Sequence, residues 1–230
     1  NYGGFTHPLW YWLSGYTQGA HGFTEMLTAP QWPTEAMAGM WQSRLAAIPW
    51  AIALQQYNIL DSHDTIRIRT LVKDNDALHR LAAAVLFTFP GIPGLYYGDE
   101  VGMLDMPGLG ARGCMVWDET RQDRALRDFH RELIRLRRSS MALRRGGFLV
   151  LAVEPDMVAY QRESRDERLI VIAHRAAADR PAGPLSLARA CVADGTRFHD
   201  VFSGDEYLVQ DGALLLPPLS QGAVILQEVP

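Results

Sequence analysis

Apolar residues recur at helical spacing in three stretches of the chain. Met37, Met40, Trp41, Leu45 and Ile48 predict a helix from Thr34 to Ile48, with Thr34 as its cap. Pro49 ends it, because proline has no amide hydrogen, and Trp50 to Gln55 adds a second helical turn. Leu78, Leu81, Ala82, Val85, Leu86 and Phe89 form one apolar stripe on a helix capped by Asp76 and stopped at Pro90. Leu126, Phe129, Leu133 and Leu136 give the buried face of a third helix, Asp123 to Arg138. Its acidic start and its Arg135, Arg137 and Arg138 end suit the helix dipole and read as a solvated helix end.

Two short apolar runs, Tyr57 to Leu60 and Ile92 to Tyr97, read as strands on either side of the second helix. Strand, helix, strand in this length predicts a parallel pair with a right-handed crossover. Residues 98–122 form a long glycine-rich loop, of the kind that usually serves function. The first 33 residues are irregular and aromatic: a short helix over His7 to Leu13 stops at Gly15, and Gly19 to Gly22 and Pro30 to Pro33 read as loops. Trp10, Tyr11, Trp12 and Trp32 carry large apolar area and are expected to pack inward rather than to stack on a ligand.

After residue 140 the pattern changes. Apolar runs at 148–153, 157–161, 169–173, 190–193, 198–202, 213–216 and 223–227 are separated by turn residues. Short strands at that spacing predict an antiparallel β-sandwich. The chain thus divides into an α/β portion, residues 1–140, and an all-β portion, residues 141–230.

Composition narrows the function. Hydrophobic residues make up 48% and charged residues 21%, as in ordinary globular domains. A net charge of -4 offers no basic footprint for nucleic acid or for an anionic membrane surface. No apolar run approaches the roughly 18 residues that span a bilayer. Cys114 and Cys191 form neither a metal spacing nor a redox pair, and two partly buried free thiols would suit a reducing cytoplasm. The seven histidines show no metal spacing, and no phosphate-binding loop, zinc-protease helix or serine elbow is present, so no cofactor or metal is expected.

The chemistry gathers at strand ends. Asp61-Ser62-His63-Asp64 follows the first strand, Tyr96-Tyr97-Gly98-Asp99-Glu100 follows the second, and Arg112-Gly113-Cys114-Met115-Val116-Trp117-Asp118 comes shortly after. A strand that places carboxylates and an imidazole at its C-terminal tip is how a (β/α)8 barrel builds an active site. Leu60-Asp61-Ser62-His63-Asp64-Thr65, with the spacing to Tyr96-Tyr97-Gly98-Asp99-Glu100, resembles the fourth signature of the alpha-amylase family of glycoside hydrolases. The similarity reads closest to maltodextrin glucosidases, with the neopullulanase and cyclomaltodextrinase group next.

The resemblance implies the C-terminal part of a (β/α)8 TIM barrel, about strands six to eight with Asn1-Tyr2 as the tail of strand six, followed by the β-sandwich. It implies an alpha-glucan such as a maltodextrin as substrate and retaining cleavage of alpha-1,4-glucosidic bonds. Such enzymes set a nucleophilic and an acidic carboxyl group about 5–5.5 Å apart. The family's nucleophilic Asp and acid Glu have no matching positions here, so the chain reads as a fragment that is inactive alone. Asp64 matches the third carboxylate, which stabilises the transition state, and His63 matches the neighbour that bonds sugar hydroxyls. Arg112 matches an arginine near the active-site mouth, although Cys114 and Val116 replace the two prolines of that family stretch, and Trp117 is a sugar platform or a core anchor. Arg67, Asp99 and Glu100 are expected to brace the loops around the site, with Arg67 paired to a barrel carboxylate. The rival readings are a glucosyl-transferring relative and a non-catalytic binding or partner subunit. Open parallel strands also predict self-association.

Overall fold

Strand β1 (Tyr57–Ile59) and strand β2 (Ile92–Gly94) pair in parallel, Tyr57 opposite Ile92 and Ile59 opposite Gly94. The structure, a computed structural model, describes residues 1–15 and 30–229. The expected loop at Gly19 to Gly22 lies outside the described residues. The helices are α1 (His7–Leu13), α2 (Thr34–Ala46), α3 (Trp50–Ala53), α4 (Ile68–Leu71), α5 (Asp76–Thr88), α6 (Arg124–Ser139) and α7 (Met141–Arg145). Beyond them come β3 (Gly147–Glu154), β4 (Met157–Glu163), β5 (Arg168–His174), β6 (Gly183–Ser186), β7 (Arg197–Asp200), β8 (Glu206–Gln210), β9 (Ala213–Leu216) and β10 (Gly222–Glu228).

Ahead of α1, residues Tyr2–Thr6 wind into a wide π-helical turn rather than extending as a strand. This segment still serves the free edge of β1. The Asn1 amino group donates to the Tyr57 carbonyl, Thr6 Oγ1 to that of Ile59, and Trp10 Nε1 to that of Leu60. Trp10, Tyr11 and Trp12 are buried, so their area goes to packing. Thr34 does not cap α2: its hydroxyl accepts from Trp12 Nε1 and donates to the Pro155 carbonyl, which ties the two portions of the chain together. Asn75, not Asp76, caps α5 by accepting from the Leu78 amide, while Asp76 pairs with Arg69 and Arg80. Asp123 caps α6 as its sequence suggests.

Helix α5 carries more than a stripe. Every residue from Leu81 to Thr88 is buried, because α6 packs on one side and β5 and β10 on another. Ala82, Ala83 and Ala84 let these neighbours approach. The all-β portion is hydrogen-bonded in the order β3-β4-β5-β10-β7-β8-β9-β6, one run of eight strands rather than two separate sheets. Its outer strands β3 and β6 come into contact, so the sheet curls back on itself like a barrel. Alternation splits its interior: Val158, Tyr160, Leu169 and Val171 face the helices, whereas Met157, Ala159, Ile170 and Ile172 face Leu185, Val209, Leu214 and Leu216. The run expected at 190–193 is a turn, with Cys191 in a left-handed conformation at φ 53. Strands β6 and β8 were not foreseen, since Pro184 interrupts the first and the acidic Asp205, Glu206 and Asp211 frame the short apolar run of the second. Both cysteines are exposed rather than partly buried.

Two buried arginines close the layer between helices and sheet. Arg137 donates to the carbonyls of Phe87, Phe89 and Gly91 at the C-terminal end of α5. Arg162, wholly buried, donates to those of Thr88, Ala142, Leu143, Gly146 and Gly147. Burial lowers both guanidiniums, to about 10 for Arg137 and about 9 for Arg162, so both remain cations at neutral pH. Arg162→Ala removes donors from four buried carbonyls and a fifth, half-buried one, and is expected to cost about 3 kcal/mol or more in urea unfolding, with Arg162→Lys recovering only part.

His79 on α5 is buried against His130 on α6, ring centroids 5.9 Å apart, and neither His79 ring nitrogen has a hydrogen-bond partner among the described residues. Burial, then the His130 charge, lowers His79 to about 3. A depressed histidine stabilises the fold above the unfolded value near 6.5, and that contribution is lost as pH falls toward 3. Relative to His79→Leu, the native chain should lose about 2 kcal/mol of stability between pH 7 and 4.5, read from urea midpoints.

Candidate active site

The residues that follow β1 form a closed turn. Asp61, buried at the strand's end, accepts from the Ile68 amide at 2.5 Å. The Ser62 amide donates to Thr65 Oγ1 at 2.8 Å, and the Asp64 amide to Ser62 Oγ at 3.1 Å. Tyr2 reaches across from the chain start, its hydroxyl 2.8 Å from Ser62 Oγ. Main-chain and hydroxyl contacts thus hold a short loop whose two candidate side chains, His63 and Asp64, point outward. His63 is exposed and Asp64 half-buried, in contrast to the fully buried Asp61.

Asp64 sits between two cationic or hydrogen-bonding groups. Its Oδ1 accepts from Arg112 Nη2 at 2.8 Å, and its Oδ2 lies 3.2 Å from His63 Nε2. Asp64, His63 and Arg112 therefore form one surface cluster, although Arg112 lies 48 residues away in sequence. The cluster can accept hydroxyl hydrogens at Asp64 and donate from Arg112 and His63, as a polar, uncharged ligand requires. Trp117 lies on the same long loop, 81% exposed, so it anchors no core and leaves a ring face free.

Arg67, Asp99 and Glu100 lie beneath. Arg67 is wholly buried and ion-pairs with Asp99 at 3.2 Å. Its guanidinium also donates to the carbonyls of Tyr97 and Ala111, and stacks against the Tyr96 and Tyr97 rings at 4.8 and 5.0 Å. The Arg67 amide donates to Asp105, a residue the motifs did not single out. Gly98, at φ 91, passes so close that a Cβ would lie 2.4 Å from Met103 Sδ and 3.2 Å from Arg67 Nη1. Glu100 turns back on its own loop, accepting from the Gly98 amide at 2.8 Å. Burial, before any other cause, raises both Asp61 and Asp99 above the usual carboxylate range. The second strand is shorter than its apolar run because Tyr96 and Tyr97 turn over Arg67 and donate to Ala111 and Gly113.

Sequence reasoning missed the role of Asp61, which reads as one more exposed acid of a polar turn. Its signal was position, directly after the apolar Ile59-Leu60, where a side chain still faces the interior. Among the described residues no group of three His, Cys, Asp or Glu gathers as a metal site, and no helix is long and apolar enough to cross a membrane.

The two arginines should behave differently. Arg112→Gln breaks an exposed pair and is expected to change stability by less than about 1 kcal/mol. Arg67→Gln strands two buried carboxyl groups and is expected to cost about 3 kcal/mol or more in urea unfolding.

Comparison with known proteins follows the same residues. A family model described as alpha amylase, catalytic domain, matches residues 24–146. A cyclomaltodextrinase of a Bacillus species is 39% identical over 140 residues, which are 60% of this chain and 25% of that protein. Neopullulanase 2 of Thermoactinomyces vulgaris is 31% identical over 187 residues, 80% of this chain and 28% of its own. A crystal structure of a Thermus thermophilus protein superposes with a TM-score of 0.85 at 26% identity, covering 100% of this chain and 48% of that one. The chain spans about a quarter of the length of the curated relatives it matches. These named relatives fall in the neopullulanase and cyclomaltodextrinase group, which the sequence motifs had placed second to maltodextrin glucosidases.

Proposed function

The chain belongs to the alpha-amylase family, and from that premise we propose that it contributes the third catalytic carboxylate of a retaining hydrolase acting on alpha-1,4-glucosidic bonds of maltodextrins. The observation that carries this reading is Asp64 at the tip of β1, held between Arg112 and His63 and open to solvent. In the reaction an oxocarbenium-like centre develops between a nucleophile and an acid. Asp64 accepts hydrogen bonds from sugar hydroxyls and favours the distorted ring, while His63 donates to a neighbouring hydroxyl. Arg112 orients Asp64 until substrate arrives. Trp117 offers a platform for a further sugar ring. Arg67, Asp99 and Glu100 brace the loops from below.

The nucleophile and the acid have no counterpart positions in these 230 residues. The isolated chain is therefore proposed to release no glucose, and residues 1–140 and 141–230 to act as barrel portion and all-β portion of the complete enzyme. The exposed Tyr57, Ile92 and Leu95 around the two parallel strands support self-association of the isolated chain. Free, exposed thiols at Cys114 and Cys191 agree with a reducing cytoplasm. A second reading, ring-opening of cyclic maltodextrins, is favoured by the cyclomaltodextrinase among the relatives.

The test is sugar release by the complete polypeptide carrying this chain. Asp64→Asn is expected to lower kcat by roughly a hundred-fold or more with little change in KM, as loss of a transition-state interaction requires. Unchanged turnover overturns the role of Asp64. Glucose from maltotriose supports the glucosidase reading, and preference for a cyclodextrin supports the second. No turnover of either by the native complete polypeptide points to a non-catalytic subunit.

A further inference from the structure

Among the described residues, the turn from Ser62 to Thr65 receives side-chain hydrogen bonds from distant segments at two points, Arg112 on Asp64 and Tyr2 on Ser62. The Arg112 contact lies on the face where sugar would bind, so a hydroxyl that takes Asp64 from Arg112 leaves Tyr2 as the remaining outside support. The Tyr2 contact runs inward. Tyr2 Oη lies 2.8 Å from Ser62 Oγ, and Ser62 Oγ accepts from the Asp64 amide at 3.1 Å. Tyr2, Ser62 and the main chain of Asp64 thus form one chain of hydrogen bonds, whose members polarise one another. Tyr2 is itself built into place. It opens the π-helical turn Tyr2–Thr6, in which the His7 amide donates to the Tyr2 carbonyl. Such turns are rare and frequent at functional sites. The wide turn brings the His7 ring onto the Tyr2 ring, centroids 5.6 Å apart and planes 22° apart. His7 rests in turn on the buried Trp10 and Tyr11, at 5.6 and 5.9 Å. Before it, Asn1 Nδ2 donates to Asn58 Oδ1 at 2.9 Å, and a Cβ on Gly4 would lie 2.5 Å from Asn1 Oδ1.

We propose that Tyr2 is a positioning residue for Asp64: acting through Ser62, its hydroxyl fixes the direction of that carboxylate once substrate has displaced Arg112. The inference rests on the assignment of Asp64 as the third carboxylate. Buried groups set where the loop stands, since Asp61 accepts from the Ile68 amide at its base. Tyr2 sets how its tip is turned. The Tyr2–Ser62 bond is exposed, so water replaces it with little effect on folding. Its loss acts on geometry instead. Without Tyr2 the Ser62 hydroxyl turns toward water, the Asp64 amide loses its acceptor, and the carboxylate gains freedom to rotate. A small misplacement of a group that serves the transition state lowers turnover more than it weakens binding.

The experiment uses Tyr2→Phe and Ser62→Ala, each of which removes one oxygen and leaves the stack on His7. In this chain without substrate, both variants should shift the Asp64 and Thr65 amide signals in NMR spectra while the urea midpoint stays at the native value. In the complete polypeptide carrying this chain, each should lower kcat on maltotriose roughly five- to ten-fold, with KM changed by less than about two-fold. The double variant should be no slower than the slower single, because both break one chain of bonds. In an Asp64→Asn background Tyr2→Phe should change kcat no further, since its effect passes through that carboxylate. Loop amides at their native positions in Tyr2→Phe would overturn the proposal. So would native kcat in Tyr2→Phe where Asp64→Asn is disabled. A loss confined to KM, or one that persists in the Asp64→Asn background, would place Tyr2 on the substrate itself and also overturn it. Native turnover in Asp64→Asn is a separate result: it removes the carboxylate assignment, and this inference falls with it. If Ser62→Ala fails to fold, Tyr2→Phe alone decides.

Discussion

The C-terminal end of α5 is where the molecule's parts are joined, and buried arginine makes the joint possible. A helix end leaves carbonyls without intrahelical donors, and burying them unpaired costs free energy at each group. Here the carbonyls of Phe87, Thr88, Phe89 and Gly91 meet Arg137 from α6 and Arg162 from β4. Among the described residues neither guanidinium has a carboxylate partner, so the dipoles of the chain carry the compensation. The same Arg162 takes up the carbonyls around α7, where the helices give way to the sheet. One helix end thus fixes the sheet to the helices, and also fixes the start of β2.

The site depends on that fixture in sequence. Strand β2 starts at Ile92, directly after Gly91, whose carbonyl Arg137 holds. The chain then delivers Tyr97 and Asp99 to Arg67, and Arg67 belongs to the loop that leaves β1. The position of Asp64 therefore follows from a buried polar floor rather than from contacts at the surface. Gly98 is needed in this path: its φ of 91 suits glycine, and a side chain would enter the space of Met103 and Arg67.

The parts legible in sequence were those with local causes. The apolar spacing of Thr34 to Ile48 and of Leu78 to Phe89, and the acidic start of the third helix at Asp123, act within one or two turns. The motif order from Asp61 to Trp117 likewise pointed to the family that the comparison then matched. What stayed hidden had distant partners. Thr34 looks like a cap, yet bonds Trp12 and Pro155. Arg137 looks like part of a solvated helix end, yet is buried on carbonyls 46 to 50 residues away. The stripe on α5 gave one face, but the sheet supplied a second layer that no spacing within the helix announces. The single curled sheet was obscured for a similar reason: β10 pairs with β5 and β7, a connection that only the folded register reveals.

The contrast between the two arginine–aspartate pairs explains how such a site can be both ordered and available. Arg112 and Asp64 meet at 2.8 Å with 55% and 44% of their side chains exposed. Water competes for that contact, and pairs of this kind contribute on the order of 0–1 kcal/mol. A ligand hydroxyl can take Asp64 from Arg112 at little expense. Arg67 and Asp99 are at 0% and 2%, where removing one partner leaves a buried charge. With the exchangeable pair above the fixed one, the contacts at Asp64 can rearrange without loosening the strand tips. Had the burial been reversed, substrate would have had to displace a contact on which the loop itself depends.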